Sequence, residues 1–221
     1  DIYLAKYDTN GGLDWAINMG GDCGYDIPED IDLDGSGNLY ITGRFVGTVD
    51  FDPGSGTTNL ISNGGCSTYD SDIFFAKYNS SGELIWAKSA GSSSSDGAYS
   101  ITIDSSNNVY VTGSFSGTAD FDPGSGTTNL TSNGNLDIFF AKYNSSGELL
   151  WAKSAGQSED NSNAEKIVVD TNDNIYLTGY FNYTVDFDPG TGTTNLTSYN
   201  TGSSNDIFYA KYNSSGELVW A

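Results

Sequence analysis

Apolar positions along this chain fall in short runs, each closed by a cluster of Gly, Ser, Asn or Asp. No run keeps the spacing of an amphipathic helix, so short strands joined by turns are the elements predicted. One run is written four times, as "DIYLAKYDTNGGLDWA", "DIFFAKYNSSGELIWA", "DIFFAKYNSSGELLWA" and "DIFYAKYNSSGELVWA". Its tyrosines are Tyr7, Tyr78, Tyr143 and Tyr212, which sets periods of 71, 65 and 69 residues. A second run lies between successive copies and reads "IDLDGSGNLYITGRF", "ITIDSSNNVYVTGSF" and "IVVDTNDNIYLTGYF". All four tryptophans, Trp15, Trp86, Trp151 and Trp220, share one position of the repeat. Repetition on this scale defines the architecture before any single residue does.

Turn chemistry makes each run a hairpin. In "YNSSGEL", Ser80 and Ser81 suit a type I turn and Gly82 the left-handed position that follows it. Gly11, Gly147 and Gly216 stand at the same place. In the second hairpin the equivalent position holds Gly37, Asn107 and Asp173, the residue types that best tolerate positive φ. A single bulge there pairs Asn79 with Glu83. It sets Ala76 opposite Trp86 on one face and Phe75 opposite Ala87 on the other, large against small.

Both faces of such a sheet are apolar, which suits a sheet flanked by copies of itself. In the best-formed copy strand A is Tyr99 to Asp104, B is Asn108 to Phe115, C is Ile138 to Tyr143 and D is Glu148 to Lys153. The expected fold is all-β: a β-propeller of four-stranded antiparallel blades, with three full blades and the outer half, strands C and D, of another. The boundaries are a half-blade over 1–20 and blades over 21–90, 91–156 and 157–221. An open stack of the same sheets is the alternative. The first strand C has no strand B before it, so its edge calls for further blades from the same chain or another. The chain reads as a window of a longer or processed protein.

Between strands B and C the chain writes "VDFDPGSGTTNL" from Val49, "ADFDPGSGTTNL" from Ala119 and "VDFDPGTGTTNL" from Val185. In propeller order every copy lands on the face opposite the A–B and C–D turns. From the second motif Asp to the start of strand C the distances are 20, 15 and 18 residues, whereas Tyr to Trp across the C–D turn is always 8. Length variation is therefore concentrated in these loops, the usual place for binding on a rigid scaffold. In an extended segment the two carboxylates of each motif point one way and the Phe points the other, into the blade seam. Asp50 with Asp52, Asp120 with Asp122, and Asp186 with Asp188 can supply hard oxygens to Ca²⁺. The competing role is to accept hydrogen bonds from the turn's own N–H groups. That role is preferred, since no pair sits in a complete calcium-loop pattern. "DLDGSGN" from Asp32 also has a calcium-loop look, but its copies lose the first Asp and a hairpin turn accounts for it.

Composition excludes more than it assigns. Eight basic residues face 29 acidic ones, a formal charge of −21, which repels nucleic-acid backbones and anionic lipid headgroups. No apolar run reaches membrane-spanning length, so no membrane insertion is expected. There is no His, hence no imidazole base or ligand. Cys23 and Cys66 fall on the same face of the same blade, where a disulfide and two unrelated thiols are both possible arrangements. Lys6, Lys77, Lys142 and Lys211 recur on strand C, and their expected role is to lie on a neighbouring blade and pair with an acid. The four Trp read as packing residues rather than sugar platforms.

The strings "DIFFAKYNSSGELLWAKSAG", "AYSITIDSSNNVYVTGSF" and "DFDPGSGTTNLTS" resemble the bacterial seven-bladed β-propeller repeat, the SBBP repeat, over nearly the whole chain. The resemblance implies a secreted or cell-surface bacterial protein, often from Bacteroidota and often exported by the type IX route with a separate sorting domain. It ties the chain to no single activity. The leading functional expectation is a non-catalytic extracellular module for adhesion, surface display or protein–protein contact, with calcium as a stabiliser if the Asp pairs bind it. The alternative is a carbohydrate-binding propeller, suggested by Tyr69 and Tyr199 in the variable loops. An enzyme is not expected: catalytic acid pairs need two unlike environments, and these pairs are copied alike.

Overall fold

The computed structural model describes residues 1–67, 70–157, 161–199 and 204–221. Every element in it is a strand. A first hairpin is made by β1 (Ile2–Tyr7) and β2 (Leu13–Gly21). The first complete blade follows as β3 (Ile27–Leu33), β4 (Leu39–Phe45), a short ribbon of β5 (Thr48–Asp50) and β6 (Asn59–Ile61), then β7 (Asp72–Tyr78) and β8 (Leu84–Ala90). The second repeats it as β9 (Gly97–Ile103), β10 (Val109–Phe115), β11 (Thr118–Asp120), β12 (Asn129–Thr131), β13 (Asp137–Tyr143) and β14 (Leu149–Ala155). The third is β15 (Asn163–Val169), β16 (Ile175–Phe181), β17 (Thr184–Asp186), β18 (Asn195–Thr197), β19 (Asp206–Tyr212) and β20 (Leu218–Trp220). Each blade is a four-stranded antiparallel sheet in the order A-B-C-D, such as β3-β4-β7-β8. These are propeller blades. Among the described residues no strand pairing joins the first sheet to the last.

Turn residues adopt the conformations their chemistry suggests. Gly11, Gly82, Gly147 and Gly216 have φ between +75° and +82°, and Asn107 and Asp173 have φ of +62° and +60°. Strand A stops one residue short of Asp104 because that side chain enters the turn. Its Oδ1 accepts from Ser106 N and Asn108 N, each at 2.9 Å.

The blade register departs from the single-bulge expectation. Tyr78 pairs with Leu84, but Lys77 pairs with Trp86, Ala76 with Ala87 and Phe75 with Lys88. Ile85 is a second extra residue, and it shifts every pair beyond it. Trp86 therefore shares a face with Phe75 and Tyr40, at ring-centroid distances of 5.9 and 6.1 Å. Ala76 and Ala87 share the other face. Each blade thus has a large face that carries the Trp and a second face centred on alanines, which also holds Phe74 and Tyr78, and these unlike faces meet between blades.

Three apolar seams result. The large face of the first complete blade (Tyr40, Phe75, Trp86) packs on Val111, Phe139 and Ala141 of the second. Phe75 and Tyr143 meet across this seam at 4.3 Å. The next seam places Tyr110, Phe140 and Trp151 against Leu177, Phe208 and Ala210. The first seam places Ile2, Trp15 and Met19 against Ile41, Phe74 and Ala76. Trp15, Trp86 and Trp151 also reach the next blade's C–D turn. Trp15 Nε1 donates to Ser80 O and Trp86 Nε1 to Ser145 O, both at 3.2 Å. The turn glycine lies under the indole: a Cβ on Gly147 would stand 3.4 Å from the Trp86 ring. Trp220, on the large face of the last blade, is 47% exposed, as are Ile207 and Tyr209 to a greater degree.

The inner strands are tied near the axis. Asp30 on β3 accepts from Ser100 Oγ at 2.7 Å and Ile101 N at 3.0 Å on β9, and from Lys166 Nζ at 2.7 Å on β15. Burial pushes the Asp30 carboxyl up, but the bonds from Lys166, Ser100 and Ile101 outweigh it and hold the group below its ordinary value. One acid thus joins the A strands of three blades.

Removing a seam indole should leave a cavity and free a turn carbonyl. Trp86→Ala is expected to cost about 3 kcal/mol or more, and Trp220→Ala less than about 1 kcal/mol. Denaturant midpoints of the two variants check this difference.

Candidate functional site

The B–C segment is more than a turn. After strand B the chain forms a two-stranded ribbon, β5 with β6, β11 with β12 and β17 with β18, in matching register. The middle residue of each Asp-Phe-Asp motif drops into a seam: Phe51, Phe121 and Phe187 are fully buried. Phe121 lies 4.9 Å from Phe139 and 5.5 Å from Phe115, and the other two copies form the same triplet. Strand C then grips the motif from behind. Tyr78, Tyr143 and Tyr212 donate their hydroxyls to Phe51 O, Phe121 O and Phe187 O at 2.9, 3.2 and 3.0 Å. Burial, then the motif carboxylates, push these phenols far above their ordinary value.

The ribbon also crosses the seam. Gly20 and Gly21 of β2 pair with Asp50 and Val49, and Gly91 after β8 exchanges hydrogen bonds with Asp120 at 3.1 and 3.2 Å. Each of these ribbons is therefore an outer extension of the preceding blade's sheet.

The six motif carboxylates are engaged by the turn in one repeated pattern. Asp50 Oδ1 accepts from Asp52 N and Thr58 N at 3.0 and 2.8 Å, and Asp52 Oδ1 from Gly54 N at 2.8 Å. Asp120 and Asp122 repeat these bonds, as do Asp186 and Asp188. The Oδ2 of Asp52, Asp122 and Asp188 lies against Gly56, Gly126 and Gly192 of the same turn. Among the described residues no group of three or more Asp, Glu, His or Cys side chains is placed to hold a metal ion. Two carboxylates with half their oxygens committed fall short of the six to eight oxygens of Ca²⁺.

Four of these carboxylates line clefts between blades. Between the first and second complete blades a cleft of about 250 Å³ is walled by Asn63, Asp72, Ser89, Gly91, Asp120 and Asp122. Between the second and third a cleft of about 480 Å³ is walled by the equivalent Asn133, Ser154, Gly156, Asp186 and Asp188, with Gln157. Among the described residues the ion pairs formed go to Asp14, Glu29, Asp30, Asp34 and Asp104, so none of these cleft acids receives a basic side chain.

Residues 85–121 and 150–180 match the family model described as SBBP, Beta-propeller repeat. These are SBBP β-propeller repeats. Each matched segment runs from strand D of one blade through strands A and B of the next, so the family unit spans a seam. The chain is also similar to the Uncharacterized WD repeat-containing protein L264 of Acanthamoeba polyphaga mimivirus. The two are 32% identical over 208 residues, covering 82% of this chain. The chain spans only 14% of that relative's own length.

Other sequence expectations find definite places in the SBBP array. Cys23 and Cys66 form a disulfide, with Cα atoms 5.3 Å apart. It ties the loop before β3 to the loop after β6, beside Gly47. The strand-C lysines do not cross to a neighbouring blade. Lys77 and Lys142 pair with Asp34 and Asp104 of their own blade at 3.6 and 3.5 Å, and their ammonium groups lie over Tyr40 and Tyr110. The reason is the register: Tyr40 pairs directly with Lys77 across strands B and C. Lys6 pairs with Asp14. Asp34, in the segment with a calcium-loop look, spends its oxygens on Ser36 N, Asn38 and Tyr40. Tyr199 is 92% exposed, while Tyr69 lies outside the described residues.

The acid that opens strand C was missed. Asp72 and Asp137 are buried, and with Asp206 they accept the backbone N–H of Asn63, Asn133 and Tyr199, closing the variable loop onto the blade. The signal was visible, since "DI" opens all four copies of the first run. Asp96, eight residues before the turn Asp104, gave no such signal. It is 1% exposed and accepts from Ser92 N at 2.6 Å and Ser116 N at 2.9 Å. Asp72 and Asp96 converge on Gly91: a Cβ there would lie 3.1 Å from Asp72 Oδ1 and 3.0 Å from Asp96 Oδ2. Asp72 Oδ1 has no hydrogen-bond partner. Burial, with added repulsion from Asp96, pushes the Asp72 carboxyl up to about 7, and burial pushes Asp96 up to about 6.

Two outcomes follow. Asp120→Ala leaves two backbone N–H groups without their acceptor and should cost about 1–3 kcal/mol. Asp120→Asn keeps Oδ1 and should cost much less; exchanging chelator for calcium should change neither value in denaturant titrations. The second concerns pH. The folded state holds the Asp72 and Asp96 protons to higher pH than the unfolded chain, whose value is near 3.8. The stability they contribute is complete below that value and is lost as pH climbs through about 6 and 7. Asp72→Asn should therefore melt higher than the parent at alkaline pH, with the gap closing on acidification in a series of melts.

Proposed function

We propose that the chain is a non-catalytic β-propeller repeat module that binds partner proteins through the ribbon face, in a secreted or cell-surface setting. One observation carries the reading: the loops between ribbon and strand C hold 10, 5 and 8 residues on three blades of the same strand order. A rigid frame that holds variable loops on one face is the usual geometry of recognition. The repeat family and the WD-repeat name of the mimivirus relative support an interaction module. The Cys23–Cys66 disulfide supports an oxidising compartment. Adhesion and surface display are the roles such a module serves there. The absence of catalysis is supported by the three Asp pairs, which have the same hydrogen bonds and so are not divided into an acid and a base.

A photo-crosslinking residue at Asn129 on the ribbon face, compared with one at Ser81 in a C–D turn, tests this reading. With the secreted and surface proteins of the source cell, discrete adducts are expected from position 129 and not from 81. Equal adducts from both positions, or binding confined to a glycan array, would overturn it.

A further inference from the structure

The two seam clefts are copies of one another, and each is built from acceptors. In the better-defined one, Asp120 and Asp122 line the wall, each with only its Oδ1 bonded to the turn's N–H groups. Asp72 lines the same cleft. It is 1% exposed, and its Oδ1 meets no donor although Oδ2 takes two from Asn63. A buried carboxylate oxygen without a donor is costly, and an incoming N–H group relieves that cost. The second cleft repeats the motif acids as Asp186 and Asp188.

The kind of donor follows from the geometry. A bare metal needs its oxygens gathered in one tight shell, and no three acidic side chains among the described residues are so placed. An ammonium or guanidinium group meets acceptors one at a time, through several N–H groups spread around it. Clefts of about 250 and 480 Å³ have room for such a side chain. The chain's formal charge of −21 draws cations toward it, which raises the rate of encounter.

We propose that the seam clefts receive Lys or Arg side chains from a basic segment of a partner protein, one per cleft. This rests on the reading of the ribbon face as a protein-binding surface and adds what that surface recognises. Two clefts on one rigid array make the binding bivalent, so each reinforces the other.

The probe is a labelled peptide of alternating Lys and Ser, with a control in which Gln replaces every Lys, measured by fluorescence anisotropy. The Lys peptide is expected to bind, to weaken as salt rises, and to lose affinity about tenfold in the double variant Asp122→Asn, Asp188→Asn. Asn keeps the Oδ1 that Gly124 and Gly190 use, so the turns survive. A second double variant, Asp8→Asn with Asp173→Asn, removes the same charge from turns on the opposite face. Asn already occupies those two repeat positions at Asn79 and Asn107. It should leave affinity within about twofold. Equal losses in both double variants would reduce the effect to bulk charge and overturn the proposal, as would no binding of the Lys peptide. Crosslinked partners at Asn129 together with a silent Lys peptide would sink this inference alone and leave the interaction module standing.

Discussion

Everything in this molecule depends on each blade being covered by the next. A sheet with two apolar faces cannot stand in water alone, and four strands are too few to fold back on themselves. The seam answers this with the Trp-bearing face of one blade set against the alanine-centred face of the next. Trp15 and Trp86 show how tightly the match is fixed, since each indole rests on the following blade's turn glycine and donates to that turn's serine carbonyl. The glycine serves twice there. It supplies the left-handed bulge, and it leaves the flat space that the indole fills. The seam is thus specified by hydrogen-bond direction as well as by apolar area.

The ribbon face is a consequence of the same constraint. To seal the outer end of a seam, a Phe must come from the loop after strand B, and a loop that buries a Phe must satisfy its own backbone. The flanking aspartates do this from within the turn, while Tyr78, Tyr143 and Tyr212 hold the Phe carbonyl from strand C. Each such Asp satisfies the turn through its Oδ1 alone. A packing device therefore places acceptors in the clefts of the second and third seams. The chemistry of the face arises from how the fold is closed, and its specificity from the loops that follow.

Much of this was legible in the sequence because repeats report backbone geometry. Three different letters, Gly37, Asn107 and Asp173, marked one left-handed position, and all three have positive φ. The burial of Phe51, Phe121 and Phe187 followed from alternation alone. What was not legible depended on single-residue irregularities. Ile85 is an ordinary strand former, and nothing in its identity marks a bulge, yet it moves Trp86 from Ala76 to Lys77 and turns it to the other face. The lysine partners follow from a different pairing: the regular register of β4 on β7 sets Lys77 beside Tyr40 and within reach of Asp34. At the site, the motif acids could be read from their repetition. Asp96 could not, since its meaning lies in a partner, Asp72, that comes from a different blade.

The seams also differ in a way that separates structure from cost. Asp96 is matched by Asp26 in the preceding blade and by Ser162 in the following one. Where the acid is present, a buried carboxylate oxygen lacks a partner: Asp26 Oδ2 at the first seam and Asp72 Oδ1 at the second. At the third seam Asp137 takes Asn133 N and Gly134 N, and Ser162 donates its backbone N–H to Leu136 O. A seam can therefore be closed with a hydroxyl in place of a second carboxylate. The added charge at Asp96 is not what holds the blades together, and it lowers the stability of its seam near neutral pH. Its effect is instead to sharpen the unmet demand for a donor at Asp72, so that geometrically similar clefts differ in how strongly they call for a cation.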